Sequence, residues 1–218
     1  MRHRKRPSCM GKGIFSISLV LAMSFLLLFG GCREAEQMQA FSDQVISIVR
    51  ERFEDSATAT SASRNLAAYL ESGFSDLESA RKAASDLGQV HESDLELVRK
   101  IEEIREPDAM ASDILLSLRR GFQAVDNGNY AVKKELENAE RQDRNERSGL
   151  FQRIIPALEE SLSGLQTVLS ALENLQRYMG ENQLEGMDDL AWLMERIAKE
   201  KGSVQSALES LRNAGNPR

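Results

Sequence analysis

Few side chains in this sequence could do covalent or metal chemistry, and they lie far apart. The 218 residues hold 2 cysteines and 2 histidines. His3 and Cys9 sit in a basic leader, so beyond residue 31 the chain keeps only Cys32 and His91. One cysteine cannot close a disulfide within that part of the chain, nor build a multi-cysteine zinc or iron–sulfur site. A nucleophilic triad needs serine, histidine and acid to converge, and no G-x-S-x-G motif presents a serine. Carboxylates are abundant, as in Glu159-Glu160 and Asp188-Asp189, yet a diiron bundle needs Glu-x-x-His on two helices, which one histidine cannot supply. Met110, Met179, Met187 and Met194 could ligate haem only with His91 as partner, and a C-x-x-C-H attachment motif is absent. Methionines at helical spacing are more often core filler. His91, in Gln-Val-His-Glu-Ser, reads as an exposed loop residue. The expectation is a protein that is not an enzyme and holds no cofactor and no metal.

The surroundings of Cys32 are more informative. Met1 to Gly13 is basic, and Ile14 to Phe29 is an uncharged apolar run of 16 residues. Gly30-Gly31 and then Cys32 follow. A basic head, an apolar middle and small residues at the end make an export signal, and the run falls short of the roughly 20 residues that span a bilayer core. The stretch Leu28-Phe29-Gly30-Gly31-Cys32 resembles the lipobox of bacterial lipoproteins, with Phe29 where leucine is usual and Leu28 displaced by one. The resemblance covers residues 1–32 only. It implies diacylglyceryl transfer to Cys32, cleavage between Gly31 and Cys32, and fatty acylation of the new amino group. One acyl chain binds a membrane marginally, whereas two or more hold stably. The competing reading is an uncleaved signal-anchor helix with an incidental cysteine. Both place the rest of the chain outside the cytoplasm. Arg33 after the cysteine looks like an outer-membrane-destined residue, because aspartate there tends to retain lipoproteins in the inner membrane. The alternative location is the outer leaflet of the cytoplasmic membrane.

Charge narrows the partners. Residues 1–31 carry Arg2, Arg4, Lys5, Arg6 and Lys12 and no acid, so removing 5 of the 28 basic residues leaves 23 against 34 acidic, a net of −11. Such a domain repels phosphate backbones and gains nothing from anionic headgroups, which argues against nucleic acid as a partner.

The elements that would position any site read as helices. Phe151, Ile155, Leu158, Leu162, Leu165, Leu169 and Leu172 recur at 4, 3, 4, 3, 4, 3 and keep one apolar face for about six turns, widened by Ile154, Val168 and Leu175. Pro156 implies a kink or a helix start. A second stripe runs through Leu190, Met194, Ile197, Val204, Leu208 and Leu211, with Lys201 in a slot that should be apolar. Gly180 to Gly186 reads as the turn between these antiparallel neighbours. Phe41, Val45, Ile48 and Arg52 or Phe53 mark a first helix, and Leu66, Leu70, Phe74, Leu77 and Ala84 a second, separated by the polar break Ser56 to Ser63. Ser93-Asp94-Leu95-Glu96 reads as a capping box before Val98, Ile101 and Ile104, and Pro107 closes that segment. Ile114, Leu115, Leu118, Phe122 and Val125 form a further helix, which Asp126-Asn127-Gly128-Asn129 should end as a turn. Residues 133–147 read as a solvated helix.

The sequence therefore predicts an all-α, elongated antiparallel helical bundle with coiled-coil-like packing. Its parts are a signal peptide (1–31), a lipidated tether (32–35), the bundle (36–212) and a frayed tail (213–218). Trp192, Leu193 and Met194 form the best candidate for an interaction surface, since tryptophan is enriched at interfaces; the competing reading is core packing of the last helix. The leading functional expectation is a non-enzymatic envelope lipoprotein that binds or spaces another envelope component, with a protein partner and with homo-oligomerisation left open. The alternative is a carrier of a lipid or other hydrophobic ligand in a cavity between helices.

Overall fold

The computed structural model describes residues 13–54, 56–139, 141 and 149–214, with the backbone alone for 13–32, 54, 56, 57, 151 and 214. Their only regular secondary structure is helix, with no strand among them: α1 (Gly13–Glu54), α2 (Ser56–Glu71), α3 (Leu77–Glu103), α4 (Ala109–Ala139), α5 (Leu150–Glu181) and α6 (Met187–Ala214). The chain is an all-α helical bundle, as its periodicity predicts. Among the described residues no helix is long and apolar enough to cross a membrane. Residues 215–218, most of the polar stretch after Ala139, and the side chains of Phe151 and Cys32 lie outside the described residues.

The helix ends follow local chemistry. At the end of α2 the Gly73 N–H donates to Leu70 O (3.0 Å) and the Phe74 N–H to Tyr69 O (3.2 Å), closing the orphan carbonyls in a Schellman pattern. Gly73 (φ 61°) makes the left-handed step without a side-chain clash. Phe74 takes a second one (φ 66°) and is held there by burial edge-on to Tyr69, ring centroids 5.4 Å apart. Asp76 caps α3 by accepting from Ser79 N at 3.1 Å, and Asp108 starts α4 by accepting from Ala111 N at 2.8 Å. The turn after α5 closes like that after α2, with Leu184 N–H on Met179 O at 2.9 Å. Gln39 of α1 clamps this turn, accepting from Glu185 N at 2.9 Å and donating to Glu185 O at 3.3 Å.

Cross-helix pairs give the topology. Glu51 of α1 takes Lys100 of α3. Fourteen residues further on, Asn65 of α2 bonds Asp86, fourteen residues back along α3. Thus α1 and α2 follow one antiparallel track on α3. Arg119–Glu102 and His91–Asp126 set α4 antiparallel to α3. Arg153–Glu135 sets α5 against α4, and Lys201–Gln166 with Arg212–Glu159 sets α6 against α5. Contacts between α2 and α6 close the ring, so α6 runs parallel to the α1–α2 track, as Gln39–Glu185 and Arg52–Glu200 require.

The core forms where the apolar faces meet. On α5 its centre is the row Ile154, Leu158, Ser161, Leu165, Val168, Leu172 and Leu175, all buried. Ile155, Leu162 and Leu169 flank it, half-buried, so the expected stripe is correct in period and sits at one margin of the buried face. Each fully buried leucine contributes roughly 1.5–3 kcal/mol. Pro156 lies inside α5, which begins at Leu150, six residues before it.

The helix α4 corrects one expectation. Asp126-Asn127-Gly128-Asn129 does not turn; it lies within α4 and, apart from Asn127, is buried. Gly128 is there because α5 comes too close for a side chain. A Cβ would sit 2.4 Å from Ala157 O and 2.8 Å from Ser161 N. Gly121 and Gly164 repeat the arrangement one layer away, where a Cβ on Gly164 would lie 2.6 Å from Gly121 O and from Val125 N. Asn129 accepts from Ser161 Oγ (2.9 Å), and the same hydroxyl lies 3.2 Å from Val125 O. Gly128 and Asn129 serve a tight helix–helix seam instead.

Candidate functional site: a buried charge cluster

Three helices place a charged residue where their apolar rows call for a hydrophobic one. On α3 the row Ala83, Leu87, Val90, Leu97 and Ile101 includes Asp94. On α6 the row Leu190, Leu193, Ile197, Val204 and Leu211 includes Glu200. On α1 the row Phe41, Val45, Val49 and Phe53 has Arg52 beside it. All three are buried, at 0% exposure for Asp94, 4% for Arg52 and 6% for Glu200.

They meet. Arg52 Nε donates to Asp94 Oδ1 at 2.8 Å, while Nη1 and Nη2 donate to Glu200 Oε2 (2.6 Å) and Oε1 (2.8 Å) as a bidentate fork. The guanidinium also lies 4.4 Å from the centroid of the Phe53 ring. One cation thus faces two carboxylates. Asp94 Oδ2 is buried with no hydrogen-bond partner. Burial pushes the Asp94 carboxyl up to about 6 against the opposing pull of Arg52, with Glu200 and Asp126 adding to the rise. Burial alone would lower Arg52; Asp94 and Glu200 outweigh it and hold the guanidinium above its usual range.

A neighbouring pair extends the cluster to α4. His91 Nδ1 is hydrogen-bonded to Asp126, and its ring stacks on Tyr130 at 4.7 Å. Lys134 lies 4.5 Å over the other partner of that stack, the Tyr130 ring. His91 is therefore neither in a loop nor fully exposed: it sits within α3, half-buried. Ser93 to Glu96 likewise is not a capping box, because α3 runs through it and Asp94 is claimed by Arg52. Two grooves adjoin the cluster. One of about 210 Å³ is lined by Ile48, Glu51, Arg52, Ser93, Leu97 and Lys100 among others. One of about 50 Å³ is lined by Arg52, Thr58, Gln89, Val90 and Ser93.

The arrangement can hold charge, fix register and bind a proton. A buried ion pair misplaced by one helical turn leaves unpaired charges, which costs several kcal/mol. Sequence reasoning passed over Arg52 as a charged residue, Asp94 and Glu200. The available signal was a charge in step with an apolar row, and on α6 the anomaly is Glu200 rather than its half-buried neighbour Lys201.

The other expected residues are distributed differently. Leu193 is fully buried and belongs to the core, not to a surface. Trp192 and Met194 are partly buried against that core, and Arg196 covers the Trp192 ring at 5.0 Å. The three do not form one exposed patch. The groove between α5 and α6, about 460 Å³, is lined by Leu162 and Leu208 but otherwise by polar and charged residues such as Glu159, Lys201 and Arg212. Away from the cluster, Tyr178 donates to Asp108 Oδ2 at 3.0 Å, and its burial raises its phenol above the usual range. Among the described residues no group of three or more metal-ligating side chains comes together. No family model, no curated protein and no solved structure matches the chain.

Proposed function

We propose that this protein is a lipid-anchored component of a bacterial cell envelope whose helical bundle acts without catalysis, binding or spacing another envelope component. The observation that carries the reading is Cys32, directly after Gly30-Gly31 and the apolar run Ile14 to Phe29, behind a basic head. Arg33 to Gln37 are exposed and mostly polar, and among the described side chains of α1 the first buried one is Phe41. That suits a short spacer between a lipid and a folded body. An acidic body held close to a bilayer by lipid suits a protein partner rather than nucleic acid or anionic headgroups. Arg33 favours the outer membrane. The α5–α6 groove lies open on the surface, whereas the lipid-carrier alternative needs a cavity enclosed between helices.

The test is metabolic labelling with a fatty-acid analogue, comparing wild type with Cys32→Ala. Wild type should take up label and lose its leader; the variant should do neither, and inhibiting the lipoprotein signal peptidase should retain the wild-type leader. Cleavage of the variant at the same bond, with no label on wild type, would refute lipidation. Crosslinking in intact cells would then identify the partner.

A further inference from the structure

Two carboxylates share one guanidinium inside the bundle, and one of the four carboxylate oxygens, Asp94 Oδ2, has nothing to bond. With both acids ionised the cluster carries a net charge of −1 in a place that excludes water, and Asp126 adds another negative charge nearby. The smallest group that would cancel that charge and give Oδ2 a role is a proton. We propose that the Arg52–Asp94–Glu200 cluster is a one-proton switch: Asp94 takes a proton on Oδ2 in mild acid, and the last turns of α1 sit more tightly on α3 and α6 with that proton than without it.

The chemistry is a single transfer. A proton from solvent or buffer bonds to Oδ2, the carboxylate becomes a carboxylic acid, and the Arg52–Glu200 fork remains as a neutral pair. Asp94 Oδ1 still accepts from Arg52 Nε. The 210 Å³ groove that Arg52 and Ser93 line comes up to the cluster without exposing Asp94, so the proton enters as α1 fluctuates; the rim of that groove carries the exposed Glu51 and its partner Lys100. The charged groups acting on Asp94 are Arg52 from α1, Glu200 from α6 and Asp126 from α4. His91, on α3 itself, is held by Asp126. From α2 the adjoining cavity receives the uncharged Thr58. The element whose fastening the proton governs is α1, because Arg52 is its ionic link to both α3 and α6 at this layer. The inference concerns how the bundle holds α1 and stands whether or not Cys32 carries lipid.

Hydrogen exchange on the full chain, purified in detergent, tests it. Exchange of amides in residues 45–54 is compared at pH 5.0 and pH 7.5 after correction for the intrinsic pH dependence of exchange. A carboxyl at about 6 in the closed state and near its ordinary value when α1 lifts predicts roughly tenfold greater protection at pH 5.0. Asp94→Asn should abolish the pH response, and Glu200→Gln should shrink it. His91→Gln, which keeps an N–H donor for Asp126, should leave it intact. Equal corrected protection at the two pH values in wild type overturns the proposal, as does a response that survives Asp94→Asn or disappears with His91→Gln. Carboxyl carbon NMR of wild type decides the matter without any variant: Asp94 should titrate near pH 6, and a midpoint below about 4.5 refutes the switch.

Discussion

The same substitution, glycine to alanine, should have opposite effects at two helical positions of this bundle. Gly202 lies mid-way along α6, exposed, with nothing within 4 Å of an added Cβ. Alanine there restricts the unfolded chain and suits the helix, so Gly202→Ala should stabilise by about 0.5–1 kcal/mol. Gly128 offers the same intrinsic gain but faces α5 at contact distance. Its Cβ would lie 2.4 Å from Ala157 O, 2.8 Å from Ser161 N and 2.9 Å from Ser161 Cβ. Two of those atoms are backbone, so no rotamer change relieves the clash. Reaching an ordinary separation of about 3.4 Å requires the helices to part locally by about 1 Å. That would loosen the Ser161–Asn129 hydrogen bond and the packing of Val125 and Leu158. Overpacking of this kind costs about 1–3 kcal/mol and sometimes more. Set against the helix-propensity gain, Gly128→Ala should destabilise by about 1–2 kcal/mol net. Urea denaturation followed by far-ultraviolet circular dichroism measures both variants on one scale. If the two differ by less than about 0.5 kcal/mol, α4 and α5 are not in the close contact described, and Gly128 is there for another reason.

The charge cluster yields two further predictions. The Asp94 carboxyl is raised from 3.8 to about 6, so the folded state binds a proton more tightly than the unfolded state. The cost of ionising it is full above about pH 6, roughly 3 kcal/mol, and vanishes below about pH 4. Wild type should accordingly gain roughly 1–2 kcal/mol relative to Asp94→Asn between pH 7.5 and pH 5, as read by urea denaturation at each pH; a gap that stays constant or widens in acid contradicts the sign. Arg52→Leu should cost about 3–5 kcal/mol at pH 7.5, because it strands two buried carboxylates, and a loss below 1 kcal/mol in thermal or chemical denaturation would mean that the pair is solvated.

Period alone made α5 and its apolar face readable, since a spacing of 3 and 4 over six turns fits nothing else. Earlier in the chain it misplaced the divisions, because Ser56 to Ser63 lies inside α2 instead of breaking the helix, and the stripe Leu66 to Ala84 is cut by the turn at 72–76 between α2 and α3. The turn between Gly180 and Gly186 was equally legible because its residues act locally: Gln183 and Gly186 both have positive φ. What failed were local signals overruled by distant partners. Asp126-Asn127-Gly128-Asn129 has the composition of a turn, yet in the bundle Gly128 admits α5, Asn129 meets Ser161 and Asp126 holds His91. Ser93 to Glu96 has the form of a cap, yet Asp94 answers to a residue 42 positions earlier. The cluster joins positions up to 148 residues apart, and no window of sequence shows that. Charges in core slots of α3 and α6 were visible, but only the fold pairs them.

The shared track of α1 and α2 on α3 has a mechanical consequence. Since α1 lies along the bundle axis, a pull on its amino-terminal end loads its contacts with α3, α5, α6 and the α5–α6 turn in shear. Contacts arranged side by side along a sliding direction bear a load together, whereas contacts peeled from one end yield in turn. The Gln39 clamp on Glu185, the Phe41–Tyr178 edge contact and the Arg52 fork on Glu200 would therefore strain simultaneously. α2 is held by its own packing between α3 and α6.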